Sequence, residues 1–460
     1  MSVSVCAAAM AVVSAQASFA ESLSDAMVAA YKHSGLLKQN QATLRAASED
    51  VAIAQSSLRP TLTYVISHGY TDTNLNLPNT GSWGTSAQLT SQFLIYNFGR
   101  GKMGVAASKE TVQATRDALV GVEQQVLLRA VKAFLDVRSA SENVQLQSNS
   151  VRVLTQELRA ANDRFEVGEV TQTDVALAQA RLAAARSGEA AAQGNLAIAR
   201  EEYKAATGAY PGRLHALPRR PVTVKTLDAA KAVARQTHPD ILAAQHNVAA
   251  ADIAVELAKT APLPSLAGQA QATWKDSSAL PPGSDTVDGS VGLVLQGTIY
   301  KGGELAARYR KAVAQSEAAR AGLHQARIAV DQGVAGAWAQ IAIATASLEA
   351  TERQIRASRV ALRGAREEAS LGSRTTLDVL NAEQELLNAQ DARISAQSNQ
   401  QLAYYSLLSA MGLLTAEHLK LGLVTYDADA YYNTVKSAPI HRVSPQGKRL
   451  DTLLEALGKK

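Results

Sequence analysis

The chain has almost no sulfur chemistry, few aromatic rings and two very long stretches without proline, and each shortage excludes something. Its one cysteine is Cys6. It sits inside an apolar opening segment, so the rest of the chain can form neither a disulfide nor a thiolate site. Aromatic residues make up only 5% of the 460. That is thin provision for a thick globular core, and the abundant alanine favours long helices packed close together. No proline lies between Pro78 and Pro211, or between Pro282 and Pro439. Proline breaks helix interiors, so these stretches of more than 130 residues each permit very long helices. After residue 20 no run of about 18 apolar residues offers a membrane-spanning helix. The eight histidines lack paired metal spacing, His238 and His246 standing eight apart, so no metal and no cofactor is expected. The net charge is +5, but basic and acidic residues interleave. Only the C-terminus drifts basic (Lys448, Arg449, Lys459, Lys460), which argues against nucleic acid. Lys301-Gly-Gly-Glu304 lacks the Gly-Lys-Ser/Thr ending of a phosphate loop and reads as a turn. No nucleophile, base and orienting acid assemble from motif spacing, so no enzyme is expected.

Residues 1–20 are uncharged and small or apolar, ending Ser18-Phe19-Ala20. They read as a secretory signal cut between Ala20 and Glu21, with a cut after Ala17 as the alternative. The usual positive start is missing, which fits an upstream start or an atypical signal. Export without a spanning helix leaves the periplasm, the cell exterior or an outer-membrane barrel.

Two echoing stretches organise the rest of the chain: Glu166-Val-Gly-Glu-Val-Thr-Gln-Thr-Asp174 and Ser370-Leu-Gly-Ser-Arg-Thr-Thr-Leu-Asp378. Each reads as one helix stopping and another starting. Gly168 and Gly372 suit the left-handed closing position, since glycine has no Cβ to clash there. Thr171 and Thr375 can cap the next helix, and Asp174 and Asp378, three residues on, complete a capping box against its dipole. The copies are 204 residues apart. From about Lys102 to Phe165 only Gly104 and Gly121 interrupt a helical pattern, a rod of roughly 95 Å. A heptad stripe at Leu380, Leu387, Ile394 and Leu408, broken by Gln401, predicts a helix-to-helix seam.

Four stretches alternate with period two instead. Leu62, Tyr64, Ile66 and Tyr70 form one, and Leu89, Phe93 and Ile95 another. Leu266, Ala270 and Trp274 form the third; Val291, Leu293, Leu295 and Ile299 form a less regular fourth. One apolar and one polar face over about ten residues is the signature of a tilted membrane strand. Thr71–Gly84 and Lys275–Asp288 read as exposed loops. Trp83 and the tyrosines near strand ends suit either an interfacial girdle or ordinary packing.

The 204-residue offset also pairs Pro60 with Pro264, Tyr96 with Tyr300, Gly99 with Gly303 and Gly208 with Gly412. Ala30–His33 matches Arg235–His238 with a slip of one. The expected division is a signal over 1–20, a first repeat over 21–210 and a linker over 211–225. A second repeat over 226–412 and a tail over 413–460 complete it. Each repeat would run helix, two strands, two long helices. Four strands cannot close a barrel, and open edges in lipid leave unpaired backbone groups. The strands must therefore come from several chains.

These residues resemble the TolC-like outer-membrane efflux proteins. The resemblance covers nearly all of the chain after the signal. It rests on the duplicated turns (Val167–Val175 and Leu371–Val379), on Leu58-Arg-Pro-Thr-Leu62, and on the strand exits Tyr96-Asn-Phe-Gly-Arg100 and Tyr300-Lys-Gly-Gly303. It implies a mainly α fold with a membrane β-barrel portion. That fold is a homotrimer joining a twelve-stranded barrel to a long α-helical tunnel in the periplasm of a Gram-negative cell. Implied partners are a periplasmic adaptor (membrane fusion) protein, an inner-membrane ABC or proton-driven transporter, outer-membrane lipid, and an exported protein or small molecule. Carried over by position, the periplasmic gate would use Asp378 as lumen carboxylate and Arg374 as latch donor, with Thr173 and Asp174 as acceptors. Symmetry-related Asp378 carboxylates would repel one another and attract cations. Two departures weaken that lock: Asn381 stands where a second acid is common, and Ala369 where a tip aromatic is. Plain helix capping remains the competing role for both aspartates.

The function expected is a passive export duct. Type I protein secretion is favoured, with small-molecule efflux as the alternative. A soluble periplasmic coiled-coil adaptor is the rival from another class.

Overall fold

The computed structural model describes residues 21–72, 81–216, 221, 224–277, 285–437, 445, 448–449 and 452. The predicted signal and its Ala20 boundary lie outside them. Glu21 is inside, held by its N–H to Arg213 O at 2.8 Å and its C=O to His215 N at 2.9 Å.

The element order is α1 (Leu23–His33), α2 (Gly35–Ser56), β1 (Thr61–Asp72), β2 (Gly81–Tyr96), α3 (Arg100–Glu166) and α4 (Gln172–Thr207). It repeats as α5 (Leu227–Thr237), α6 (Pro239–Thr260), β3 (Ser265–Ser277), β4 (Thr286–Gln296), α7 (Glu304–Ser370) and α8 (Thr376–Ala410). A short α9 (Ala428–Val435) completes the order. The helices of the second series start 204 residues after those of the first. This holds at α1 and α5 too, so the one-residue slip read there is absent. Both proline-free stretches carry an unbroken helix of 67 residues, α3 and α7.

Strand bounds differ from expectation at three places. The two expected loops are shorter, because β1 continues to Asp72 opposite Gly81, and β3 to Lys275 opposite Thr286. Hairpin pairing satisfies backbone groups that composition alone assigned to loops. The stretches 73–80 and 278–284 lie outside the described residues. β4 stops at Gln296, leaving Ile299 fully exposed beyond it. Gly297 packs directly against Pro264 there, the would-be Cβ lying 3.1 Å from the proline ring.

The chain divides into two compact units. The described residues of Met1–Gly35, Glu123–Leu227 and Val334–Leu423 form the first; those of Leu36–Val122, Asp228–Gly333 and Val424–Lys460 form the second. Each unit takes segments from both repeats, and α3 and α7 contribute to both units.

In the first unit, α4 and α8 show why so little aromatic volume suffices. Ala178, Ala185, Ala192, Ala199 and Ala206 recur every seven residues on α4, all buried. On α8, Ala389, Ala396 and Ala403 repeat the ladder, also buried. A seven-residue repeat on a 3.6-residue helix winds its seam left-handed. Small side chains along it let neighbouring backbones approach closely. Leu154, Ala161, Val175, Leu182 and Leu380 form one cluster, and Leu362, Ala365 and Val379 another. Gln401, which interrupts the predicted stripe, is itself buried.

The second unit contains one antiparallel sheet in the order β1-β2-β3-β4. Its register fixes two faces. Tyr64 lies opposite Leu89, Leu89 opposite Ala272, Ala87 opposite Trp274, and Trp274 opposite Val287. The other face carries Thr63, Thr90, Gln88, Gln271, Thr273 and Ser290. The apolar face is bare: Tyr64, Ile66, Val287, Val291 and Leu293 are all strongly exposed. Tyr70 and His68 pack on Trp83 at one end of the sheet, and Tyr96 on Phe98 at the other. In the same unit Leu44, Val51, Val105 and Val112 make a small core between α2 and α3, with Tyr426 and Tyr432 of the tail against it.

Candidate functional site: the paired helical turns

Both long helices end in the same way. At the first turn Glu169 N–H donates to Arg164 O at 2.9 Å and Gly168 N–H to Phe165 O at 3.0 Å, with Gly168 at φ +79°. At the second, Ser373 N–H donates to Glu368 O at 2.9 Å and Gly372 N–H to Ala369 O at 3.1 Å, with Gly372 at φ +76°. This closure satisfies the last free carbonyls, and only glycine adopts that φ cheaply. The strand exits use the same freedom, Gly99 at φ +78° and Gly303 at φ +82°.

Each following helix opens with a full capping box. Thr171 N–H donates to Asp174 Oδ2 at 2.9 Å and the Thr171 hydroxyl to the same oxygen at 2.7 Å, while Asp174 N–H donates to Thr171 Oγ1 at 3.3 Å. Thr375 and Asp378 repeat it at 3.0, 2.8 and 3.3 Å. Hydrogen bonds from the threonine hydroxyl, then from its backbone N–H, hold both carboxyls below the usual aspartate range, and Arg374 adds to this for Asp378. The capping role is therefore real for both aspartates. It leaves Oδ1 of each uninvolved in the box.

Arg374 pairs with Glu368 across its own turn. The structure does not bring it to Thr173 or Asp174 within this chain. Val167 and Leu371, at equivalent positions, project from the turns 71% and 84% exposed.

A set of polar contacts above the turns escaped the sequence. Arg366 Nη2 on α7 reaches Glu157 Oε1 on α3 at 3.2 Å and Glu383 Oε2 on α8 at 3.1 Å. Glu383 is half-buried, and desolvation pushes its carboxyl up, while Arg366 pulls it down. On α4, Arg181 Nη2 donates to Asn381 Oδ1 at 2.9 Å. The missing second acid at 381 is thus an amide engaged by an arginine. The repeat gives no clue to this belt, because Asn162 and Gln179 occupy the positions equivalent to Arg366 and Glu383.

No helix of the described residues is long and apolar enough to cross a membrane. The outer membrane efflux protein family profile matches residues 27–209 and 232–413, one segment in each repeat. The outer membrane efflux protein BepC of Brucella suis is 34% identical over 442 residues, 95% of each chain. The alkaline protease secretion protein AprF of Pseudomonas aeruginosa is 25% identical over 394 residues, 80% of each. The crystal structure of the CmeC outer membrane channel of Campylobacter jejuni superposes with a TM-score of 0.75 at 18% identity, covering 91% of this chain and 90% of that one.

Proposed function

Because the chain belongs to the outer membrane efflux protein family, we propose that several copies close one lipid-embedded pore and that it serves type I protein secretion. The chain is an outer-membrane efflux channel and not an enzyme. The observation that carries the proposal is the four-stranded sheet, apolar on one face and rich in Gln, Thr and Ser on the other, with β1 and β4 unpaired along their outer edges among the described residues. In hydrocarbon each bare N–H or C=O costs several kcal/mol, so two open edges would cost on the order of tens. Neighbouring copies remove that cost, and three supply twelve strands, enough to enclose a channel. The apolar face then meets lipid, the polar face lines water, and the aromatic residues at both ends lie at the interfaces.

The paired turns form the closable periplasmic end. Asp378 lines the lumen there, and Arg374 restrains opening. Its acceptors, Thr173 and Asp174, lie on the other kind of turn, so engaging them means giving up Glu368. The exposed Val167 and Leu371 offer the apolar contact that a periplasmic adaptor would take, linking the duct to an inner-membrane transporter. The likeness to a named protease secretion protein favours protein over small-molecule cargo.

Purified protein in planar bilayers should give discrete, long-lived conductance steps, and its cross-linked mass should be three times that of one chain. A monomer without conductance refutes the pore. For cargo, deletion of the gene should remove proteins from the culture medium; unchanged secretion with raised dye retention would establish small-molecule efflux instead.

A further inference from the structure

Within the first unit, α3, α7 and α8 enclose a groove of about 560 Å³. Arg356 and Arg359 line it from α7 and Arg393 from α8. Among the described residues none of these three guanidiniums has a carboxylate within ion-pair distance. Arginines to either side of them on α7 are paired, Arg353 with Glu349 and Arg366 with Glu157 and Glu383. Two carboxylates share the groove. Glu142 is already held by Arg138 at 2.9 Å. That leaves Glu352, one turn before Arg356, as the single uncommitted acid against three cations. Asn149 Oδ1, also in the lining, accepts from Arg152 Nη2 at 2.8 Å, which sets a fourth guanidinium beside the groove. Arg356 and Arg359, three apart, share one face of α7, where like charges repel.

The duplication supplies an internal comparison. Shifted by 204 residues, Arg359 and Arg393 fall on Thr155 and Glu189. The first repeat builds the same helices with a hydroxyl and an acid at those positions, so the helical frame does not need the guanidiniums. Like charges gathered in one groove oppose its compact form until an opposite charge sits among them. Arginine's planar fork matches the oxygens of phosphate two at a time. Gln145 and Gln390 add amide donors to the same lining, and the volume lies within the range of small-molecule sites, about 300–1,000 Å³. We infer that this groove binds a compact multivalent anion of the phosphate type, held between the guanidiniums of α7 and α8. The inference depends neither on the pore nor on the cargo proposed above.

Isothermal titration calorimetry of the full protein in neutral detergent, with sodium tripolyphosphate at fixed ionic strength, should show one saturable site per chain. Arg356→Gln and Arg393→Gln should each weaken binding about five- to tenfold, the loss expected for a charge-assisted hydrogen bond in a partly wet site. The double variant should abolish it. Arg393→Lys keeps the charge and loses the fork, so its affinity should fall between those of the wild type and Arg393→Gln. Arg327→Gln, on α7 outside the groove, removes the same charge and should leave affinity unchanged. Absence of saturable binding, as when a carboxylate of a neighbouring copy already fills the groove, overturns the site. So does binding that survives the double variant, or equal weakening by Arg327→Gln, which would mark general attraction to a basic surface. Titration with soluble dihexanoyl phosphatidic acid identifies the source. Tighter binding than tripolyphosphate assigns a lipid headgroup to the groove, and weaker binding a free anion.

Discussion

Replacing Arg366 with Gln tests whether the belt above the turns restrains them. The guanidinium is the cation between two carboxylates, at 3.2 and 3.1 Å, and the side chains are 44% (Arg366), 29% (Glu157) and 17% (Glu383) exposed. Removing one partner of a fully buried pair costs about 3–5 kcal/mol. Solvent reaches the arginine here, so screening reduces the expected loss to about 1–3 kcal/mol. The loss depends on pH. Burial already raises the Glu383 carboxyl above its ordinary value, and removing Arg366 raises it further. A carboxyl whose folded pKa is raised binds more protons folded than unfolded, so its stability contribution falls as pH rises. Backbone amide exchange over residues 376–386, corrected for intrinsic rate, should accelerate about five- to hundredfold at pH 8 and much less at pH 5. As a control, Arg353→Gln removes an exposed pair with Glu349 at 3.5 Å and should change exchange by less than about 0.5 kcal/mol. Equal acceleration at both pH values, or none, would show that Glu383 does not depend on Arg366.

Three other outcomes are expected. Arg374→Ser should raise single-channel conductance and Asp378→Asn should weaken block by multivalent cations; unchanged values in bilayers would remove these residues from the proposed gate. Thr375→Ala breaks the second capping box and should cost about 1 kcal/mol locally, read as faster amide exchange at 376–379. The difference should be full above about pH 5 and shrink, without vanishing, as acid protonates Asp378: its lowered pKa reflects the bonds its ionised carboxyl accepts, while Asp378 N–H donates to Thr375 Oγ1 at any pH. Ala389→Leu forces a large side chain into a fully buried ladder position; overpacking should cost about 1–3 kcal/mol, seen as a lower thermal midpoint in detergent, with Ala389→Ser nearer neutral.

Periodicity made most of the fold legible. Proline spacing marked both 67-residue helices, and the first is placed to within two residues at its start and one at its end, because nothing else in the chain stops a helix so firmly. Both capping boxes were readable, since a glycine, a threonine and an aspartate at fixed offsets have few other uses. Strand ends were less legible: Ile299 continues the apolar pattern, but the packing of Gly297 on Pro264 ends the pairing first. At the candidate site the sequence identified residues that act along the chain and missed those that act across it. Glu157 lies 209 residues from Arg366 and Glu383 lies on the next helix, and the positions equivalent to Arg366 and Glu383 in the first repeat carry no charge. Glu368, the partner of Arg374, was hidden among the many surface acids of α7.

The unpaired rims of the sheet leave a lone copy without a stable place. In water its oily side is bare, and in lipid two rows of backbone groups go unmet. In the proposed pore, insertion and assembly therefore happen together, with each copy completing the wall for its neighbours. A copy with one blocked rim would still be recruited through its intact one, and it would leave a gap that sound copies cannot seal. Such a defective chain should disable the wild-type protein made beside it.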